Sequence, residues 1–156
     1  MSLQVHVAIA LALAALGLAP GAAHVLELPV KLQYSDEQYA QVTGSLYAWF
    51  GAVGGAVQAA AAVAVGLLAF RLRRSPQGGL VVAAALALIA SLLLWGAMVA
   101  PVNSAWADLG SSATASDVAA AYARLRARWE FGHVAAFIAW LTGWLGLVGF
   151  ASARFR

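Results

Sequence analysis

The sequence predicts an all-α integral membrane protein, a four-helix up-down-up-down bundle with both termini in the cytoplasm. Of its 156 residues, 63% are hydrophobic and 10% are charged, whereas a soluble domain carries about 25% charged residues. The charged positions leave four uncharged stretches, 1–26, 38–70, 75–107 and 131–153. Each is longer than the roughly 20 residues that an α-helix needs to cross the hydrocarbon core of a bilayer. These stretches lack the alternating polarity of transmembrane β-strands.

Composition also excludes several classes of site and partner. The chain has no cysteine, which excludes disulfides, thiolate metal sites and cysteine nucleophiles. Its net charge of +3 comes from nine basic and six acidic residues without a long basic tract. The lipid bilayer is therefore the predicted partner, and no nucleic acid is expected.

Helix-breaking and helix-capping residues set the predicted helix ends within a single domain, residues 1–156. Pro29 is expected to end the first helix, because the residue before a proline avoids the helical conformation, and Pro101 is expected to end the third. Ser35 and Ser116 are the predicted N-caps of the second and fourth helices. The four helices are thus predicted at about 3–28, 36–72, 79–100 and 117–153.

The distribution of charge predicts the orientation of the helices. The link 71–79 and the C-terminal tail carry arginines and no acids, whereas the six acidic residues lie in or beside the other two connections. The positive-inside rule then places this link and both termini in the cytoplasm, and the connections 28–45 and 101–130 outside. No Lys or Arg precedes Lys31, so the first stretch is predicted to be a retained helix and not a cleaved signal peptide. We therefore predict a multi-pass protein of the plasma or inner membrane.

Polar residues from all four helices are predicted to lie at one depth, near the outer face. At a rise of about 1.5 Å per residue, about 20 residues from each cytoplasmic edge reach the same layer, which contains His24, Glu27, Tyr47, Asn103, Trp106, Glu130 and His133. His24 and Glu27 are three residues apart, as are Glu130 and His133, so each pair shares one helix face. The two motifs are mirror images, because the first helix runs outward and the fourth runs inward. They converge if the first and fourth helices are neighbours.

The four converging groups have alternative interpretations. In the first, they bind one divalent metal (Fe, Mn or Zn), which would neutralise two carboxylates near a low-dielectric boundary. Glu-x-x-His also occurs among the ligands of di-iron carboxylate bundles. In the second, they form a structural polar cluster in which Arg126 pairs with Glu130 and Lys31 pairs with Glu27. A haem held by the two histidines is a further alternative.

Two helix faces below this layer differ in the size of their side chains. The fourth helix carries a run of rings, His133, Phe137, Trp140 and Trp144. The second helix carries small residues between two polar ones, Tyr47, Gly51, Gly54, Gly55 and Gln58. Such faces would hold a flat hydrophobic substrate between them. Alternatively they would pack together, since Gly51-x-x-x-Gly55 is a close-contact motif of membrane helices.

Four sequence segments at the outer helix ends form a recognisable set: HVLELP at 24–29, LYAWF at 46–50, PVNSAW at 101–106 and LRARWEFGH at 125–133. Together they resemble the anthrone-oxygenase-like family of small four-helix membrane proteins, over about 24–50 and 101–137. The resemblance implies the same membrane fold and the oxygenation of anthrones to anthraquinones. The residues at the family's motif positions are His24, Glu27, Asn103, Trp106, Trp129, Glu130 and His133.

Two functions from different classes follow. The first is a membrane oxygenase or oxidoreductase that acts on a hydrophobic aromatic substrate with O₂. Its catalytic groups or metal ligands would be His24, Glu27, Glu130 and His133, and its substrate-binding residues would be Tyr47, Asn103, Trp106, Arg128 and Trp129. The second is a non-enzymatic accessory subunit of a homo-oligomer or a larger membrane complex. A haem-binding electron-transfer bundle is the remaining alternative.

Overall fold

The computed structural model describes residues 1–47, 49–110 and 112–155, which form helices and contain no strand. The α-helices are α1 (Leu3–Leu16), α2 (Leu18–Lys31), α3 (Asp36–Leu46), α4 (Gly55–Leu72), α5 (Gly78–Met98), α6 (Ala100–Ala107) and α7 (Ala115–Arg154), and a π-helical turn at Phe50–Gly54 precedes α4. Four segments are long and apolar enough to cross a membrane, namely Leu3–Lys31, Phe50–Leu72, Gly78–Ala107 and Ala115–Arg154. The predicted all-α class and the four apolar helices are confirmed.

The two prolines do not end helices, contrary to the prediction. Pro29 lies inside α2, which continues to Lys31. In this last turn the missing N–H of proline removes only one hydrogen bond, and the helix end is closed by the N–H of Leu32, which donates to the carbonyl of Leu28 at 2.9 Å. Pro101 lies in the first turn of α6, where a proline has no intrahelical hydrogen bond to lose. It therefore begins a helix, and the break between α5 and α6 precedes it.

The N-caps agree with the prediction at α3 and differ at α7. The Ser35 hydroxyl accepts a hydrogen bond from the N–H of Gln38 at 3.2 Å. At α7 the cap is Thr114 and not Ser116: its hydroxyl accepts from the N–H of Asp117 at 3.2 Å, and the Asp117 carboxylate accepts from the N–H of Thr114 at 3.0 Å. This reciprocal capping box satisfies two helix-end donors at once, which a cap at Ser116 would not do.

Helix α7 contacts most of the other helices. It packs against α1, α2, α3, α5 and α6, while α4 packs against α1 and α5. Contact between α2 and α7 is the adjacency that the convergence of the two His/Glu motifs requires. Hydrogen bonds to backbone carbonyls fix the register: the Trp140 indole N–H donates to Ala14 at 2.8 Å, and Nε2 of His6 lies 2.9 Å from the carbonyl oxygen of Ala64.

Glycines permit close helix contact at some positions and not at others. A Cβ built on Gly143 would lie 2.9 Å from the carbonyl oxygen of Ala84, so α5 and α7 approach closely there. A Cβ on Gly51 or Gly55 would meet no described atom within 4 Å. Gly51 and Gly55 therefore do not bring two helices of this chain into close contact.

We expect Gly143→Ala to destabilise the fold, because the new methyl group must displace the α5 backbone at Ala84. Overpacking of this kind costs about 1–3 kcal/mol. Gly149→Ala is the matched control on the same helix, since a Cβ there meets no described atom within 4 Å; this change removes the helix penalty of glycine, about 1 kcal/mol. The free energy of unfolding in mixed micelles is measured for both variants. Equal stability of the two would contradict the packing.

Candidate functional site

A buried ion pair joins α2, α3 and α7 at the site, and it is absent from the sequence-based predictions. Lys31 is 2% exposed and Glu130 is 5% exposed. Nζ of Lys31 lies 3.0 Å from Oε1 and 3.1 Å from Oε2 of Glu130, and the Tyr39 hydroxyl donates to Oε1 at 3.0 Å. Burial and the adjacent carboxylate raise the pKa of Tyr39, which keeps this hydroxyl a donor. The buried carboxylate therefore has both the cation and the hydrogen bond that it requires.

The predicted pairings of Arg126 with Glu130 and of Lys31 with Glu27 are wrong. Arg126 instead donates hydrogen bonds to the backbone carbonyls of Lys31 and, at 3.3 Å, of Tyr34. The cause is the continuation of α2 beyond Pro29: it keeps Lys31 on the inner helix face, within reach of Glu130. It also leaves carbonyls at the C-terminal end of α2 that a guanidinium can satisfy.

Glu27 has a separate partner, Tyr47, which follows the last residue of α3. The Tyr47 hydroxyl donates a hydrogen bond to Oε2 of Glu27. Burial, together with this hydrogen bond to the carboxylate, raises the pKa of Tyr47, so the phenol keeps its proton. The two carboxylates of the mirrored motifs are thus held by different partners and do not share one.

The two histidines of the mirrored motifs do converge. The ring centroids of His24 and His133 are 3.9 Å apart, and the Trp129 ring lies 4.9 Å from the first and 4.2 Å from the second. Nδ1 of His24 lies 3.4 Å from Nζ of Lys31. Nδ1 of His133 lies 3.0 Å from the carbonyl oxygen of Trp129. The predicted meeting of these histidines is confirmed.

The side chains as placed do not fit a shared divalent metal. The Lys31 ammonium contacts both Glu130 and His24, and it occupies the place between them that a cation would need. In the described part of the chain, no three His, Asp or Glu side chains are grouped so that they could hold a metal ion. A haem between the histidines is also disfavoured, because two rings in contact leave no room for a porphyrin plane.

A cavity of about 500 Å³ extends from the histidines into the bundle. The two faces singled out in the sequence both line it. His133, Phe137 and Trp140 come from α7, Gly51, Gly55 and Gln58 come from the second span, and Tyr47 precedes that span. Trp144 packs in the apolar core instead, and Gly54 lies against Pro20. The volume lies within the range of about 300–1,000 Å³ that is usual for small-molecule sites.

Four of the five predicted substrate-binding residues border the cavity, namely Tyr47, Asn103, Trp106 and Trp129. The Trp129 indole N–H donates to Oδ1 of Asn103 at 2.8 Å, and the Trp106 ring stacks on Tyr122 with centroids 4.0 Å apart. Arg128 is the exception: it donates to the carbonyl of Ala97 at 2.8 Å and is not among the cavity-lining residues. The prediction that Arg128 binds substrate therefore has no support from its position.

Sequence reasoning missed two further features of the cavity. The Thr43 hydroxyl is buried at the cavity wall and has no hydrogen-bond partner among the described residues. The π-helical turn Phe50–Gly54 borders the cavity through its first two residues, and such turns are frequent at functional sites. A threonine facing inward on α3 gives no distinctive sequence signal, and neither does a π-turn.

We expect Lys31→Met to cost about 3–5 kcal/mol of unfolding free energy, because it leaves the Glu130 carboxylate buried without its cation. The double variant Lys31→Met/Glu130→Gln removes both charges and is expected to cost clearly less. Denaturation in detergent micelles gives the unfolding free energy of the single and the double variant. Destabilisation in the double variant as large as in the single one would show that the ion pair is not what the single variant disturbs.

Comparison of the chain with protein-family models, with curated proteins and with solved structures gave no match.

Proposed function

We propose that the protein is a membrane oxidoreductase that binds a flat hydrophobic substrate in the cavity. The histidine pair removes a proton from the substrate before the substrate reacts with O₂. The observation that carries this proposal is the contact of two imidazoles, His24 and His133, at the wall of a cavity of about 500 Å³. Ionisable groups within membrane helices are usually functional. Here the motif carboxylates are bound by other residues, and the imidazoles alone border the cavity.

The shape of the cavity supports a planar aromatic substrate. Phe137 and Trp140 line it from α7, and Gly51 and Gly55 line it without side chains. The motifs at the helix ends resemble those of anthrone-oxygenase-like proteins, which favours an aromatic ketone with an acidic benzylic C–H. Asn103, oriented by its hydrogen bond from Trp129, supplies a polar contact at the cavity wall.

The proposed reaction converts an anthrone and O₂ into an anthraquinone and water. An imidazole removes a proton from the benzylic carbon, and the resulting enolate is the electron donor. It reduces O₂ and forms a carbon–oxygen bond, and the returning proton completes a hydroperoxide. Loss of water from this hydroperoxide leaves the second carbonyl. A positioned general base contributes about 10²–10⁴-fold to such a proton transfer.

The proposal places the site on the extracytoplasmic side of the plasma or inner membrane, in a bundle with both termini inside. The support is the link after α4, which carries Arg71, Arg73 and Arg74 and no acid. Of the arginines near the site, Arg126 and Arg128 donate to backbone carbonyls. Arginines on the outer side count against this orientation under the positive-inside rule. These two count less, because their hydrogen bonds to the backbone give them a structural role there.

We expect His133→Gln to lower anthrone-dependent O₂ consumption in nanodiscs by about 10²–10⁴-fold, because the base is lost, and His24→Gln to lower it as well. The matched control is His6→Gln. His6 is a buried histidine bonded to the carbonyl of Ala64, lies outside the cavity, and should leave the rate unchanged.

For each of the three variants, an oxygen electrode measures the rate of O₂ consumption in the presence of a chelator. The anthraquinone formed is quantified in the same samples. A rate no higher with wild-type protein than without it would contradict the proposal, as would equal loss in His6→Gln. Activity that disappears with the chelator and returns with Fe, Mn or Zn would favour the metal-dependent interpretation.

We expect Gly55→Leu to weaken anthrone binding by about tenfold or more, because its side chain would enter the cavity. Gly66→Leu is the control on the same helix: a Cβ at either glycine meets no described atom within 4 Å, and only Gly55 lines the cavity. Fluorescence titration measures binding, and unfolding measures stability. Equal affinities in the two variants would show that anthrone binds elsewhere.

A further inference from the structure

We infer that His24 and His133 are fixed as opposite neutral tautomers, so that they offer one hydrogen-bond donor and one acceptor to the cavity. As part of the same inference, Lys31 determines which ring nitrogen of His24 carries the proton. The tautomer of His24 follows from its contact with Lys31, and that of a neutral His133 follows from its contact with the backbone. Only their consequence for catalysis rests on the proposed function.

The tautomer of His133 follows from its contact with the backbone. Its Nδ1 lies 3.0 Å from the carbonyl oxygen of Trp129, four residues earlier on α7. A carbonyl oxygen only accepts hydrogen bonds, so the proton of a neutral His133 lies on Nδ1. Nε2 of His133 then carries the lone pair.

The tautomer of His24 follows from Lys31. Nζ of Lys31 contacts both carboxylate oxygens of Glu130, at 3.0 and 3.1 Å, and is therefore an ammonium. An ammonium has three donors and no acceptor. Nδ1 of His24, 3.4 Å from this Nζ, must accept, and the ring proton lies on Nε2.

The two free nitrogens are complementary. The described hydrogen bonds use only Nδ1 of each ring, and both rings line the cavity. Neither Nε2 has a described hydrogen-bond partner, and we assign Nε2 of His24 as the donor to a substrate oxygen and Nε2 of His133 as the base. Lys31 is not among the cavity-lining residues, so it is a positioning residue and acts through His24.

This division of roles narrows the substrate class. A ligand that satisfies both rings carries an oxygen acceptor and an acidic C–H or O–H on one rigid aromatic framework. Enolisable aromatic ketones and phenolic ketones meet this requirement. An aromatic hydrocarbon of the same shape, such as anthracene, does not meet it and should bind more weakly than anthrone.

The test is a long-range ¹H–¹⁵N spectrum of ligand-free protein labelled at the histidine rings, in nanodiscs at neutral pH. The chain has three histidines, and substitution of each in turn assigns the signals. We expect His133 as the Nδ1–H tautomer and His24 as the Nε2–H tautomer. His6 is an internal reference for Nε2–H, because its Nε2 lies 2.9 Å from the Ala64 carbonyl oxygen. A doubly protonated His24, or His24 as Nδ1–H, would overturn the inference.

The role of Lys31 is tested in the background that removes both charges, Lys31→Met/Glu130→Gln, so that no unpaired carboxylate disturbs folding. We expect the ¹⁵N shifts of His24 to move toward those of a tautomer mixture, while His133 and His6 keep their shifts. Unchanged His24 shifts would overturn the positioning role.

The outcomes also separate this inference from the proposed function. The assigned tautomers in a protein that oxidises no anthrone would overturn the function alone. Other tautomers in an active protein would overturn the inference alone.

Discussion

The ion pair between Lys31 and Glu130 is the interaction on which the half of the molecule around the two histidines depends. It joins α2 to α7, and the Tyr39 hydroxyl adds α3 to the same carboxylate. Each buried charge costs several kcal/mol in lost solvation unless its partners are well placed. Helices α2 and α7 therefore cannot shift along one another without leaving a charge unpaired, and a shift of α3 would remove the hydrogen bond from Tyr39. Such a pair adds less to net stability than it adds to the choice of one helix register.

The same interaction determines which groups remain available for chemistry. Lys31 binds Glu130, Tyr47 binds Glu27, and Arg126 binds carbonyls at the end of α2. A site with two free carboxylates beside two imidazoles would attract a divalent cation. With both carboxylates bound, the imidazoles are the groups of the two motifs that remain at the cavity wall. The chemistry that this arrangement favours is proton transfer.

The helical repeat explains which parts of the site could be predicted from the sequence. The three-residue spacing within each motif and the depth count predicted that His24 and His133 would meet, and their rings are in contact. The ion pair of Lys31 with Glu130 was missed because it depends on where α2 ends. Lys31 lies seven residues after His24, about two helical turns, and shares its face only if the helix continues through Pro29. A rule that ends helices before proline takes Lys31 off this face and leaves Glu27 as its predicted partner.

Sequence also cannot distinguish a glycine that brings two helices together from one that borders a cavity, because both are small residues on an inward face. The packing distinguishes the two kinds. A Cβ on Gly143 would clash with α5, whereas a Cβ on Gly51 or Gly55 would meet no described atom within 4 Å. Gly51 and Gly55 are exposed where they border the cavity, which is therefore partly open. Small-molecule sites of this size are mainly apolar and carry a few polar groups that fix the orientation of the ligand. The two imidazoles and Asn103 are polar groups of this kind in an otherwise mainly apolar lining.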